Sequence, residues 1–403
     1  MKAIMYGGGN IGRGFIGALL SDAGYQVTFI DVAEQVVDRL HEQKCYPLRI
    51  IDSHGHQDLT IANVDAVNGN DTEAAARAIA EADIMATAVG AKILKFIAPN
   101  IAEGLKLRFQ QTDRPLDIII CENLMDANKV LEKLIKEHLT PTEQALMDER
   151  VGLVEASIGR MVPIQTPEMQ DGDPLRVCVE AYGYLPVDQA AFKGEIPNIK
   201  GMVPFAPFDF YIKRKLYLHN MGHAICAYLG GYVGRKYIWQ SIDDPEILVI
   251  VQNAMLESAM ALSKKYGVSF TQIAPHMIDL LGRFRNTALG DTCKRVGGDP
   301  TRKLQIEDRM IGSALLAMEQ GITPAYIAAG IAGAIYRYLN EAGTEQSMDA
   351  AKKVLEDVAG LSAIHPLTEL VLRTYPCFLE GETINNIRHV AETLKIEHQK
   401  DVV

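Results

Sequence analysis

The chain has 403 residues, 48% of them hydrophobic, more than one ordinary core holds, and its length points to two domains. A net charge of −11 excludes a broad nucleic-acid or anionic-membrane surface, which needs clustered Lys and Arg, so any phosphate must be met locally. Cys45, Cys121, Cys178, Cys226, Cys293 and Cys377 lie too far apart for zinc-ligand spacing or a dense disulfide framework.

They read as the reduced thiols of a cytoplasmic protein. Ala3 to Met5 runs at once into glycines with Arg13 close behind, unlike a secretory signal. No apolar run is expected to reach the roughly 20 residues of a bilayer span.

The first predicted strand, 2–6, leads into Gly7-Gly8-Gly9-Asn10-Ile11-Gly12-Arg13-Gly14 and a helix at 12–22. Gly7, Gly9 and Gly12 fit G-x-G-x-x-G: one for the tight turn, one for close approach of a pyrophosphate, one for helix–strand packing. The free N–H groups of that helix, from Asn10 and Ile11 onward, then face phosphate. The next strand, 26–30, ends on Asp31, an acceptor for both ribose hydroxyls that repels a 2′-phosphate. Neither Arg nor Lys stands between Val32 and Val37, so NAD is expected over NADP. Asp31 also suits the N-cap of a helix at 33–43.

Strands at 84–88, 118–121 and 152–156 alternate with helices at 72–81, 93–104 and 125–137. This is the pattern of a Rossmann-type doubly wound sheet with helices on both faces. Ligands bind such sheets beyond the carboxyl ends of the strands, which selects Val89 and Gly90 and the turn Cys121-Glu122-Asn123. Asn123 is either a hydrogen-bonding partner of substrate or cofactor, or a helix N-cap; spacing leaves both open. A strand at 175–184 precedes a loop, 185–207, containing Pro186, Pro197, Pro204 and Pro207. The domains are accordingly placed at 1–200 and 201–403. Helical periods then run at 208–230, 244–266, 304–319, 325–340, 348–359 and 369–378, a mainly α-helical C-terminal domain.

Oxidation of an alcohol by a nicotinamide needs a group to take the hydroxyl proton and donors for the developing alkoxide. With no metal-ligand motif present, a side chain must be the base. In an α-helix at 100° per residue, Lys215, His219 and His223 share a ridge with Asn220 about 60° from His223. A lysine beside other cations and an apolar cofactor has its pKa pushed toward the working pH. Gly222, costly inside a helix, implies close packing there. Spacing alone leaves open a solvated basic face at 213–215 and core histidines.

The Gly-Gly-Gly-Asn-Ile-Gly-Arg-Gly-Phe opening, the Cys121-Glu122-Asn123 turn and Lys215…Asn220…His223 resemble the polyol-specific long-chain dehydrogenases. So do Arg283-Phe284-Arg285-Asn286, Asp291-Thr292 and Pro300-Thr301-Arg302-Lys303-Leu304, and the likeness runs over nearly the whole chain. It implies metal-independent catalysis in a cleft between the domains. Lys215 would be general acid/base, Asn220 and Asn123 an oxyanion hole, and His223 a substrate-holding group. It also implies reversible oxidation of D-mannitol 1-phosphate to D-fructose 6-phosphate, with a free polyol or a hexuronate as the alternative substrate. A phosphate monoester wants Arg or Lys. The candidates are Lys213, Arg214, Arg283, Arg285 and Arg295, with Arg302 and Lys303 behind them. The protein is expected to act as a monomer or weak homodimer without nucleic-acid or membrane partners.

Overall fold

The computed structural model describes residues 1–124 and 126–400. The predicted helix 125–137 opens on Met125, outside the described residues, and its observed counterpart is Ala127–Lys136. Two compact units divide the chain, Met1–Asp209 and Phe210–Val403, against the expected break at 200/201.

The strands of the first unit are β1 (Lys2–Tyr6), β2 (Gln26–Asp31), β3 (Tyr46–Asp52), β4 (Gly55–Ile61), β5 (Val64–Asn68), β6 (Ile84–Thr87), β7 (Leu116–Ile120), β8 (Val151–Glu155), β9 (Val177–Val179), β10 (Leu185–Asp188) and β11 (Met202–Phe205). Six of them form one sheet in the order β5-β2-β1-β6-β7-β8, and every pairing in it is parallel. Successive side chains of a strand point to opposite faces. Ala3 and Met5 therefore pack with Phe15, Ile16 and Phe29, while Ile4 and Tyr6 pack with Ile97, Ile101 and Leu105. A sheet covered on both faces explains why β7 is buried at every position, a continuous apolar run without alternation.

Three features depart from the expected order. A hairpin, β3–β4, joins β9 in a separate three-stranded sheet, and neither hairpin strand nor β5 was expected from periodicity. The predicted strand 175–184 is reduced to β9, and the next strand begins only at Leu185. The Pro-rich segment expected to be wholly loop contains β10 paired with β11, with Pro186 and Pro204 both inside this two-stranded ribbon. Prolines are tolerated there because each strand has an edge where no N–H need donate.

The second unit is helical: Asp209–Arg214, Met221–Tyr232, Ile238–Ile242, Pro245–Tyr266, Phe270–Phe284, Cys293–Val296, Pro300–Lys303, Ile311–Glu319, Ala325–Ala342, Met348–Asp357, Pro366–Leu379 and Ile384–Lys400. The predicted helix 304–319 starts only at Ile311, because Asp308 gathers Arg302 and Arg309 and the Met310 N–H turns back to the Lys303 carbonyl. The helices Phe270–Phe284 and Ile384–Lys400 are additional to those expected. Pro245–Tyr266 reaches the length and mean hydropathy of a bilayer span, correcting the expectation that no run does. Ile247, Ile250, Val251, Ala254 and Leu262 on it are fully buried, so its apolar face belongs to the core. All six cysteines are free thiols.

Candidate active site

Gly7 leaves β1 with φ at 104°, and a Cβ there would stand 2.5 Å from the Ala88 carbonyl oxygen. A Cβ at Gly12 would lie 1.9 Å from the Gly7 oxygen, whereas one at Gly9 would meet nothing within 4 Å. Packing demands glycine at 7 and 12, and the bare backbone at 9 leaves room for a ligand. Asn10, exposed, and Ile11, half-buried, form the start of the helix. Its next turn, Gly12–Ile16, is π-helical, with the Gly17 N–H reaching the Gly12 carbonyl five residues back. Arg13, 6% exposed, fixes the turn from beneath. Its Nε donates to the Gly8 carbonyl at 2.6 Å, its Nη1 to the Leu175 carbonyl, and its own carbonyl accepts the Tyr46 hydroxyl at 2.7 Å.

Asp31 ends β2 with both oxygens engaged, Oδ2 by the Gly8 N–H at 2.6 Å and Oδ1 by the Ala33 N–H at 2.9 Å. The following helix is Glu34–Gln43 with Ala33 at its N-cap, so Asp31 is not the cap expected of it. Beyond β6, the N–H groups of Val89 and Gly90 donate to Glu122, at 2.9 and 2.8 Å. One buried carboxylate thus ties together the ends of β6 and β7. Asn123, exposed, follows it. The next helix starts at Ala127 with Asp126 at its N-cap position, which excludes Asn123 as that cap.

In the second unit the helix bearing Lys215 is interrupted. Between Asp209–Arg214 and Met221–Tyr232 the residues Lys215–Asn220 make a π-helical turn, the Met221 N–H donating to the Leu216 carbonyl. The wider turn departs from the expected 100° per residue, yet the His219 and His223 rings lie 6.0 Å apart and Lys215 acts electrostatically on His219. Lys215 and Asn220 are both half-buried, and His219 is only 5% exposed. The turn is braced from the neighbouring helix, where the buried Ser258 hydroxyl donates to the Tyr217 carbonyl at 2.7 Å. Gly222 is needed for the same contact, since a Cβ there would stand 2.7 Å from Met255 Cγ.

Burial favours the neutral form of His219, His223 and His276. Burial first, then the charges of Arg283, His223, His276 and Lys215, holds His219 far below the usual histidine range. His223, stacked on Phe284 with ring centroids 4.8 Å apart, is pushed down to about 3 by burial and then by Arg295, Arg309, Lys303 and Arg283. Asp291 lies 3.6 Å from His223 Nε2, beyond hydrogen-bond reach, and its carboxylate is already bonded to Arg295. His276 is pushed down to about 2 by burial, then by Arg214 and Arg283.

The phosphate candidates separate by partner. Arg285 pairs with Asp243 at 3.2 Å, Arg295 with Asp291, and Arg302 with Asp299 and Asp308. Lys303 is buried against the Val296 and Gly298 carbonyls and pushed down to about 8. Lys213 donates to the Tyr217 hydroxyl at 3.0 Å. Arg214 lies over the Tyr211 ring at 4.5 Å, and its charge and that of Arg283 both act on His276. Arg283 has a side chain only 9% exposed, its recorded ion pair being with Asp279 at 3.5 Å. Among the described residues no three His, Cys, Asp or Glu side chains converge as a metal would need.

Comparison with known proteins bears on both units. Residues 1–201 match the mannitol dehydrogenase Rossmann domain and residues 208–370 the mannitol dehydrogenase C-terminal domain. The chain belongs to the mannitol dehydrogenase family. The mannitol-1-phosphate 5-dehydrogenase of Bacillus subtilis (strain 168) is 40% identical over 380 residues, 93% of this chain and 99% of that one. Its counterpart from Brevibacillus brevis is 38% identical over 377 residues, 92% of this chain and 96% of that one. Among solved structures, a D-sorbitol dehydrogenase in substrate-free form superposes with a TM-score of 0.79 at 15% identity, covering 97% of this chain and 95% of that one. Pseudomonas fluorescens mannitol 2-dehydrogenase, in a ternary complex with NAD and D-mannitol, gives 0.72 at 15% identity over 98% and 94%. At that identity the two structures show the fold.

Four residues of this mannitol dehydrogenase family member escaped the reading of its sequence. Arg13 sat inside the glycine string with nothing to mark it as a brace, and Glu122 was noticed only as a neighbour of Asn123. An acid directly after an apolar strand was the available signal for Glu122, because burial there demands donors. Ser258 and His276 lie on helices far along the chain, and no local pattern ties either to Lys215.

Proposed function

We propose that the chain catalyses the NAD-dependent, reversible oxidation of D-mannitol 1-phosphate to D-fructose 6-phosphate without a metal. One observation carries the reading: Lys215 and Asn220 close a π turn beside neutral histidines, in a chain about 40% identical along its length to mannitol-1-phosphate 5-dehydrogenase. Lys215 takes the hydroxyl proton in oxidation and returns it in reduction. Asn220 and Asn123 donate to the reacting oxygen, and His223, neutral, offers one N–H to an adjacent hydroxyl.

The glycine turn fits a dinucleotide. Gly9, with its Asn10 and Ile11 neighbours, admits the pyrophosphate, and Asp31 has a further lone pair on each oxygen for the ribose hydroxyls. When bound, NAD supplies the hydride acceptor. Glu122 holds Val89 and Gly90 as a rigid edge beside it. For the phosphate, the candidates are Lys213, Arg214, Arg283, Arg285 and Arg295, of which Arg214 and Arg283 both act on His276 and Arg283 and Arg295 both act on His223. The enzyme is proposed to work in the cytoplasm as a monomer or weak homodimer.

The test is NADH-dependent reduction of fructose 6-phosphate against fructose and fructuronate, with a chelator present. Activity confined to the phosphate ester, a loss of at least about a hundredfold in Lys215→Ala with NADH still bound, and a KM rise of about tenfold or more in Arg283→Leu are expected. Equal turnover of fructose, or abolition by the chelator, would overturn the reading.

A further inference from the structure

The helical unit holds a partly open cavity of about 250 Å³ that the proposed chemistry does not use. It is lined by Tyr228, Tyr232, Tyr336, Arg337, Asn340 and Glu341, with Gly231, Cys293 and Gly297 at its wall. Tyr228 is 2% exposed, and among the described residues its buried hydroxyl has no hydrogen-bond partner. Buried hydroxyls are nearly always satisfied, so one that lines a cavity in this state marks a place for a polar ligand atom. The charges felt by this hydroxyl include those of Arg337 and Glu341, which line the same cavity.

Gly231 is a second and independent sign. It stands in the last turn of Met221–Tyr232, where glycine weakens a helix, yet a Cβ there would meet only Cys293 Cβ at 4.0 Å. Packing does not require glycine at this position, and its effect is to keep the cavity wide. Gly333, also lining the cavity, is different, since a Cβ there would press on Phe378 at 3.4 Å.

We infer that this cavity is a binding site for a neutral polyhydroxylated molecule of hexitol size. Arg337 Nη2 lies 2.5 Å from Glu341 Oε1, so the guanidinium is neutralised within the wall and no net positive charge awaits an anion. The remaining groups alternate donors and acceptors. They are the Tyr228 hydroxyl, the Glu341 carboxylate and the amide NH₂ of Asn340, whose side-chain oxygen already accepts from Gln346 at 3.0 Å. Tyr232 and Tyr336 add aromatic surface for C–H faces. At about 30 Å³ for each water displaced, the cavity corresponds to roughly eight waters, the space of one small polyol. Ala227 and Tyr228 continue the helix that carries His223, and Cys293 and Gly297 flank Arg295. Occupancy therefore reaches the segment that holds Asp291 and Arg295, and a bound polyol alters turnover without displacing substrate.

Calorimetric titration of the whole enzyme with D-glucitol, and separately with inorganic phosphate, decides the matter. Saturable binding of D-glucitol is expected in wild type and unchanged in Lys215→Ala. It should weaken about tenfold in Tyr228→Phe and be lost in Gly231→Leu, with kcat in the absence of glucitol within about twofold of wild type in both. Tyr228→Phe forfeits no hydrogen bond in the unliganded protein, so its melting temperature should equal or exceed that of wild type, which keeps the test valid if Gly231→Leu folds poorly. Absence of saturable binding, binding of phosphate in place of glucitol, or binding lost in Lys215→Ala and intact in Tyr228→Phe would each refute the assignment.

Discussion

Asp31 performs two tasks with one carboxylate, and only one of them was legible from its position after β2. Its oxygens accept the Gly8 and Ala33 N–H groups, so the side chain shapes the glycine turn as well as offering acceptors to a ribose. Hydrogen bonds to a charged acceptor contribute about 1.5–3 kcal/mol each. Asp31→Ser keeps a short polar group but loses the charge, the second oxygen and the repulsion of a 2′-phosphate. We expect kcat/KM with NADH to fall by roughly ten- to a hundredfold while the preference over NADPH narrows or reverses. Steady-state kinetics with both cofactors measure this. A mutant with lower activity but the same NADH/NADPH ratio would mean that Asp31 serves the turn alone.

The π turn Lys215–Asn220 is the element on which the catalytic proposal depends, and a wide turn must have its loosened carbonyls satisfied from elsewhere. Ser258 does this for Tyr217 from Pro245–Tyr266. Ser258→Ala leaves that buried carbonyl without its donor, a cost of about 1–3 kcal/mol, and gives the turn reason to tighten toward α-helical register. Such tightening would change where Asn220 stands relative to Lys215. Turnover of fructose 6-phosphate should drop while the KM for NADH holds, and Ser258→Thr, which restores a hydroxyl, should recover part of the rate. A stability loss with kcat intact would make Ser258 a packing residue only.

The same element explains what sequence reading reached and what it missed. Strands β1, β2, β6, β7 and β8 were legible because burial on both faces forces continuous apolar runs, and the glycine turn because sterics at 7 and 12 allow nothing larger. The ridge of Lys215, His219 and His223 assumes a constant 100° per residue, which the π turn does not keep, although the His219 and His223 rings still lie 6.0 Å apart. Nothing in Lys-Leu-Tyr-Leu-His-Asn announces an extra residue in the turn, which Ser258 braces from some 40 positions on. The hairpin β3–β4 escaped for a similar reason. Its second strand, Gly55–Ile61, is largely exposed, so half of its alternation is missing.

For the molecule as a whole, stability against pH is set by buried groups whose shifts oppose one another. Glu257, 1% exposed, accepts the Tyr326 and Ile327 N–H groups at the start of Ala325–Ala342, with Lys395 Nζ 3.7 Å away. Burial outweighs these partners and raises its pKa from 4.5 to about 7. Between those values the folded chain holds a proton that the unfolded chain has lost, so this group's contribution falls as pH rises and is flat above 7. His219, His223 and His276 act in the opposite sense: all are lowered from 6.5, so below that pH the unfolded chain binds protons the folded chain refuses. Each such group changes the unfolding free energy by about 1.4 kcal/mol per pH unit within its window. From pH 5 to 6 the three histidines oppose Glu257, on whose side stand Glu155, Asp117 and Asp291, carboxyls that burial also raises. Glu257→Gln removes one of the opposing groups, and its slope over the same interval should be more positive than that of wild type by about 1.4 kcal/mol per pH unit. Above pH 7 the two curves should run parallel. Urea titrations of both proteins at intervals of half a pH unit read these slopes, and identical slopes from pH 5 to 6 would mean that Glu257 is ionised in the fold throughout, held so by Lys395 and the helix N-terminus.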